Sequence, residues 1–386
     1  MIEYLSGRVN LDSKGKTVGN LSAVAGQFRP QAKVIDIREF GSGNINNTFL
    51  VTLDTEADTK GEKHFILQRI NTQVFRQPEL VIRNMIISTE HVRRRLERAP
   101  LGAGRRWEIP AVLSAEDGRD YWIDSDGSFW RAVSFIEGSQ SFATIKGIDH
   151  AREVGYALGM FHTLLSDLSP DRLADTLEGF HITPRYLRHY DDVMAKYSAA
   201  RSPEVNYCIQ FVSERSAWTS VLENAAAQGR LLLRTIHGDP KVNNIMIDTA
   251  TGRAISIVDL DTVKPGLIHY DIGDCLRSGC NPLGEETAQW ETVHFDLGLC
   301  KAILQGYLSM AREFLTENDF DYIYDSIRLI SYELGLRFLT DYLEGDVYFK
   351  VRRPEHNLVR ALVQFKLCES IESQETAIRT IIRDNR

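Results

Sequence analysis

Within the stretch RTIHGDPKVNNIMIDTATGRAISIVDLDTVKPG, residues 234–266, stand His237, Asp239, Lys241, Asn244, Asp259 and Asp261. The apolar run LLLRTI delivers His237-Gly238-Asp239 to a turn. NIMID is a short strand, TATGR a hairpin turn and AISIVDLD the returning strand. A hairpin sets Asn244, at the start of one strand, beside Asp259, at the end of the other. Two neighbouring oxygen ligands suit Mg²⁺, whose octahedron phosphate oxygens and water complete. Asp239 lies on the turn facing the same space. A carboxylate there can take a proton from a hydroxyl and orient it toward a phosphoryl group.

The elements that must hold these groups divide the chain in two. VIDIREFGSGNINNTFLVTLD reads as strand, Gly-rich turn, strand, and HFILQRI as a third strand. Apolar residues at helical spacing behind Pro78 predict a helix over 78–99, and short strands follow to about residue 136. Beyond it the pattern is helical at 148–168, 202–228, 291–311, 319–343 and 354–382, interrupted by the hairpin above. The expectation is an α+β, bilobal molecule. Residues 1–136 form a small antiparallel β lobe with one inserted helix, and 137–386 a larger, mainly helical lobe. A short hinge joins them at Glu137–Gly138.

Composition narrows the classes. The 386 residues are 43% hydrophobic and 25% charged, ordinary for a globular chain, and the length suits two or three lobes. A formal net charge of −8 argues against nucleic acid as a partner, while leaving small anions possible in a local pocket. The five cysteines are scattered without a CxxC pair, which predicts reduced buried thiols and a cytoplasmic protein. The sequon at Asn46–Thr48 carries no weight in that compartment. Neither a signal peptide nor a membrane span is expected, and no obligate protein partner is evident.

The set HGDPKVNN, a strand, a hairpin and VDLD resembles the catalytic segment of the protein-kinase-like phosphotransferases. The HGD form, with VDLD in place of D-F-G and a later YDIGD, is similar to the aminoglycoside phosphotransferase and choline kinase branch. The resemblance implies a protein-kinase-like fold and ATP as co-substrate with Mg²⁺. It implies that Asp239 is the catalytic base, Lys241 reaches the γ-phosphate, and Asn244 and Asp259 hold the metal, with Asp261 the second choice. Asp271 would brace the catalytic loop. FGSGNINNTFLV is placed where the phosphate-covering loop belongs, with Gly41 and Gly43 admitting phosphate and Ser42, Asn44 and Asn46 adding donors. It lacks the third Gly of the kinase loop. In FILQRIN the cation expected on the ATP face is Arg69, with Glu79 or Glu90 as partner and Glu90 the better spaced. WRAVSFIEG resembles the strand before the hinge, where backbone groups near Phe135 would bind adenine.

For the acceptor, Arg337, Asp341 and Tyr348 in ELGLRFLTDYLEGDVYFKV can line a polar pocket with aromatic walls. VDLDTVKPG and RFLTDYLEGDVYF together resemble the bacterial N-acetylhexosamine 1-kinases, from about Phe40 to the NLVRA segment. That resemblance implies a sugar acceptor, N-acetylglucosamine or N-acetylgalactosamine, contacted by Asp239, Arg337 and Tyr348. A kinase for another hydroxylated metabolite stays open, whether amino alcohol, aminoglycoside or different sugar. So does a nucleotide-binding pseudokinase, although the base and both metal ligands are present.

Overall fold

The structure, a computed structural model, describes residues 18–41, 43, 45–54, 63–102 and 104–386. The expected loop residues Ser42 and Asn44 lie outside the described residues. The chain forms two compact units. The first takes in Met1–Ile86 and Pro110–Phe135, and the second Ile87–Ile109 and Ile136–Arg386.

In the first unit, α1 (Val18–Phe28) precedes β1 (Val34–Glu39), β2 (Asn47–Leu53) and β3 (His64–Ile70). After α2 (Pro78–Arg98) come β4 (Val112–Leu113), β5 (Trp122–Ile123) and β6 (Phe129–Ser134). The antiparallel sheet runs β1-β2-β3-β6-β4, with β5 also on β6. Side chains alternate across a strand, so the two faces sort cleanly. Leu21, Val24 and Phe28 of α1 bury Phe49, Val51, Phe65, Leu67 and Trp130 on one face. Val81 and Ile82 of α2 pack with Ile70 and Phe129 on the other.

The second unit begins with part of α2, where the sequence predicted a break only near Glu137. Polar ties explain this grouping. Arg95 donates to the Thr163 carbonyl at 2.7 Å and pairs with Asp167 at 2.7 Å, and Arg105 pairs with Glu153 at 2.6 Å. The unit continues with β7 (Ser139–Gln140), α3 (Ile148–Leu165), α4 (Thr183–Met194), α5 (Pro203–Arg215) and α6 (Val221–Ala227). Next come β8 (Arg234–Ile236), β9 (Ile245–Asp248), β10 (Ala254–Ile257), β11 (Lys264–Gly266) and α7 (Ile268–Gly279). The chain closes with α8 (Leu297–Ala311), α9 (Glu317–Asp321), α10 (Ile323–Glu344), α11 (His356–Ser373) and α12 (Glu375–Asn385).

Two small sheets, β10-β9-β7 and β11-β8, sit among these helices. The helices pack through two seams. Gly155 of α3 and Gly306 of α8 lie against the opposing backbone at Ile303 and Arg152, so a methyl at either would clash. Aromatic and aliphatic residues of α4, α5, α10 and α11, among them Phe211, Tyr332, Leu336 and Phe365, form the other. All five cysteines are free and buried. Among the described residues, no helix is long and apolar enough to cross a membrane.

Candidate active site

The hairpin β9–β10 behaves as its sequence predicted. Ile257 pairs with Ile245, and Val258 N–H donates to the Asn244 carbonyl at 2.9 Å, so Asn244 and Asp259 meet at one end of the ladder. Asp259 adopts the left-handed conformation (φ 65°), strained for a residue with a side chain and of the kind that collects at functional sites. Asn244 donates from Nδ2 to the Asp239 carbonyl at 2.7 Å, and its Oδ1 has no hydrogen-bond partner among the described residues. An amide oxygen fixed this way beside a carboxylate fits a hard divalent cation. Asp261 is 4% exposed, on the turn that follows Asp259.

The turn carrying Asp239 is clamped from beneath. Asp271, at the start of α7, accepts from the backbone N–H of His237 at 2.7 Å and of Gly238 at 2.8 Å, and from His162 Nε2 at 2.8 Å. Burial alone would push the Asp271 carboxyl up. His162, His237 and the backbone donors outweigh it and hold the carboxyl below the usual carboxylate range. Gly238 has φ 86°, and a Cβ there would strike Thr262, so only glycine fits. Thr262 in turn donates to the His237 carbonyl at 2.7 Å. His237 gives Nε2–H to the Val258 carbonyl at 2.9 Å and accepts the Asp239 N–H on Nδ1 at 3.2 Å. One donor and one acceptor define a neutral ring, in line with a pKa lowered by burial.

Lys241 Nζ lies 2.7 Å from Asp239 Oδ2. Burial disfavours its charge, but Asp239 and Asp259 outweigh burial and keep the ammonium protonated. The bonds that Lys241 and Asn244 donate to the Asp239 carboxylate both fall on Oδ2, and Oδ1 has no partner among the described residues, open to accept a proton. On α7, Arg277 clamps Asp274 Oδ1 at 2.7 Å.

Helix α10 supplies the other wall. The Arg337 guanidinium lies between four rings, 5.2 Å from Phe180, 5.0 Å from Tyr186, 5.9 Å from Tyr348 and 5.5 Å from Phe349. It makes no hydrogen bond or ion pair with any described residue. Although burial opposes the charge, Tyr186, Tyr348, Glu333 and Asp239 hold its pKa above the usual guanidinium range. Arg337 therefore shares a field with Asp239. The helix ends at Glu344 and Gly345 (φ 93°) turns the chain back, as the pocket reading required. Asp341 is a correction to that reading. Its carboxylate accepts the backbone N–H of Tyr348 at 2.7 Å and Phe349 at 2.9 Å, and the Asn357 amide at 2.9 Å. It shapes the turn that presents Tyr348 and does not line the pocket.

Expected nucleotide residues of the first unit fare unevenly. Gly41 is left-handed and exposed (φ 79°), and Gly43 is exposed. Asn46 Oδ1 accepts the Asn71 N–H at 2.8 Å, tying the loop to the end of β3. Phe135 meets Phe40 and His64 edge-on, with ring centroids 5.9 and 5.5 Å apart. Arg69 is a second correction. It pairs in register with Trp130 and Asn47, so it shares the face that α1 covers, and its Nη2 reaches Asn47 at 3.3 Å. The α2 face instead carries Gln68 and Arg131, whose Nε and Nη2 lie 2.9 and 2.6 Å from Gln68 Oε1. The period-2 alternation of β3 separates the two faces. Glu90 is exposed beside Arg94 at 3.9 Å.

The profile of the phosphotransferase enzyme family matches residues 36–308. Three solved structures align with a TM-score of 0.56 each. They are an aminoglycoside phosphotransferase from Alicyclobacillus acidocaldarius (14% identical, 94% of this chain and 96% of that one), a choline kinase from Cryptosporidium parvum (12%, 89% and 91%) and a microcompartment-associated aminopropanol kinase (16%, 92% and 98%). At these identities the likeness establishes the fold, the protein-kinase-like architecture expected from the sequence.

Proposed function

Because this chain belongs to the phosphotransferase enzyme family, we propose that it transfers the γ-phosphoryl group of ATP to the anomeric hydroxyl of an N-acetylhexosamine, N-acetylglucosamine or N-acetylgalactosamine. The products are the sugar 1-phosphate and ADP. A bond forms between the anomeric oxygen and the γ-phosphorus while the bond from that phosphorus to the β–γ bridging oxygen breaks. Asp239 Oδ1 takes the hydroxyl proton. An anomeric hydroxyl is more acidic than an ordinary alcohol, so a carboxylate base suffices, and most of the rate comes from positioning and charge stabilisation. Asn244 Oδ1 and the Asp259 carboxylate would hold Mg²⁺, which neutralises charge on the phosphate oxygens. Lys241, kept charged beside Asp239, would meet the γ-phosphate. Gly41, Gly43 and Asn46, with Ser42 and Asn44 of the same loop, belong to the nucleotide side, as does Phe135.

The observation that carries the acceptor assignment is the unpaired Arg337. The structural relatives named for choline, aminopropanol and aminoglycosides take acceptors that bear amines. A fixed guanidinium that makes no ion pair with a described residue disfavours an ammonium placed beside it. It suits a neutral, oxygen-rich acceptor, to which it offers a planar fork of donors while Tyr348 offers a ring face and a hydroxyl. A buried hydrogen bond whose partner is left unmade costs about 1–3 kcal/mol. Arg337→Ala should therefore raise the KM for N-acetylglucosamine roughly tenfold or more and leave the KM for ATP within about twofold. Steady-state kinetics with each substrate varied in turn is the test. A rise in the ATP KM alone would remove Arg337 from the acceptor side.

A further inference from the structure

His181, in the loop before α4, is fully enclosed and joins three parts of the site. Its Nε2 lies 2.7 Å from the Gly238 carbonyl, the peptide oxygen directly before Asp239. Its Nδ1 lies 2.9 Å from Glu333 Oε1 on α10, one turn before Arg337. Thr183 donates its hydroxyl to Glu333 Oε2 at 2.7 Å. Phe180, beside it in sequence, and Tyr186 of α4 are two of the four rings around Arg337. His181 itself holds φ 64°, rare for a residue with a side chain. Nothing in the reaction scheme above uses it.

We propose that His181 is a positioning residue that locks the catalytic turn to the acceptor-side helix. Its Nε2–H fixes the Gly238 carbonyl and so the direction of Asp239, and its Nδ1–H fixes Glu333 and so the turn of α10 that carries Arg337. The proposal rests on the reading of Asp239 as base.

Both partners of the ring are acceptors. A carbonyl oxygen can only accept, and Glu333 already receives the Thr183 hydroxyl. Against a Glu333 carboxylate, both bonds are made at once by a ring protonated on both nitrogens. Burial works against that charge, but Glu333 and the Gly238 carbonyl outweigh burial and raise the His181 pKa above its ordinary value. Of the ionisable groups on the elements packed around the ring, Glu333 on α10 and Asp274 on α7 favour the charge. Arg337 on α10 is a cation and opposes it, and Tyr270 stacks on the ring at 5.3 Å with Glu223 of α6 behind it and Asp239 on the turn. The imidazolium thus bridges a catalytic loop and a helix that lie 57 and 152 residues away in sequence.

The test is a double-mutant cycle on the full chain, assayed with N-acetylglucosamine and MgATP. Asparagine tolerates the left-handed backbone and places its amide near Nδ1, so His181→Asn keeps a donor for Glu333 and releases Gly238. We expect its kcat to fall tenfold or more, with both KM values within about threefold. Glu333→Gln should lower kcat in the same direction, and the double variant should be no slower than His181→Asn alone, because one bridge is broken twice. A kcat for His181→Asn within twofold of the parent, or additive losses in the double variant, overturns the proposal. Asp239→Asn, run alongside, separates the two claims. If it loses turnover while His181→Asn does not, the base stands and the bridge falls. If Asp239→Asn stays active, the reading of the site itself fails. The ¹⁵N spectrum of the histidines at pH 7.5 tests the bridge without activity or folding of a variant. Two protonated ring nitrogens on the enclosed His181 support it, and a neutral ring rules it out.

Discussion

At the scale of single residues, the electrostatics of the second unit are set by burial opposed by specific partners. The Asp271 carboxyl is held below its ordinary range because His162, His237 and backbone donors outweigh burial, and the His181 pKa is raised because Glu333 and the Gly238 carbonyl do. Glu223 ends the other way. It accepts the Tyr270 hydroxyl at 3.0 Å, its second oxygen is buried without a partner, and burial raises its pKa to about 7. The sign follows from linkage. Between the ordinary value of 4.5 and about 7, the unfolded chain releases this proton while the folded one keeps it, so stability falls as pH rises through that window. Glu223→Gln should remove this dependence. Thermal melts at pH 5 and pH 8 should show a smaller loss of Tm in the variant than in the parent, and an equal loss would mean that Glu223 ionises normally. The placement of Asp239, Lys241, Asn244 and Asp259 at this scale was legible because HGDPKVNN and VDLD compress the four into one hairpin whose geometry is local. His181 and Glu333 were not, because each acts through a contact made only once distant segments pack. Asp341 shows the same limit, since its type suited a pocket and only the fold shows its oxygens committed to the Tyr348 and Phe349 amides.

At the scale of elements, the long periodic helices were readable and their interruptions were not. The expected helix over 202–228 breaks at Ser216–Trp218 into α5 and α6, and the one over 354–382 breaks at Gln374 into α11 and α12. Apolar spacing alone ran through both breaks. The strand HFILQRI was read with its correct ends, yet Arg69 was assigned to the wrong face, because spacing gives alternation without saying which side a helix will cover. The α3–α8 seam makes a direct test of packing. Gly155 and Gly306 admit backbone contact where a methyl cannot fit without moving a helix. Overpacking of this kind costs about 1–3 kcal/mol. Gly155→Ala and Gly306→Ala should each lower Tm by several degrees, whereas Gly26→Ala, at a position with open space, should leave it nearly unchanged. An unchanged melt in both seam variants would show that the helices have room to separate.

At the scale of the whole molecule, an acidic chain of net charge −8 carries, in the field of Asp239, a guanidinium that makes no ion pair with any described residue. The overall charge would favour a cationic acceptor, while the local field around Arg337 opposes one, and the local field is what an acceptor meets at the point of reaction. The central claim is therefore that this phosphotransferase uses a neutral sugar. The direct measurement is ATP-dependent phosphoryl transfer across N-acetylglucosamine, N-acetylgalactosamine, choline, ethanolamine and kanamycin, each with the parent enzyme and with Asp239→Asn. We expect an alkali-stable, acid-labile sugar 1-phosphate from at least one of the two N-acetylhexosamines. Its kcat/KM should exceed that for any amine by tenfold or more, and its turnover should fall about a hundredfold or more in Asp239→Asn. Phosphorylation of choline, ethanolamine or kanamycin at higher kcat/KM than either sugar would contradict the account.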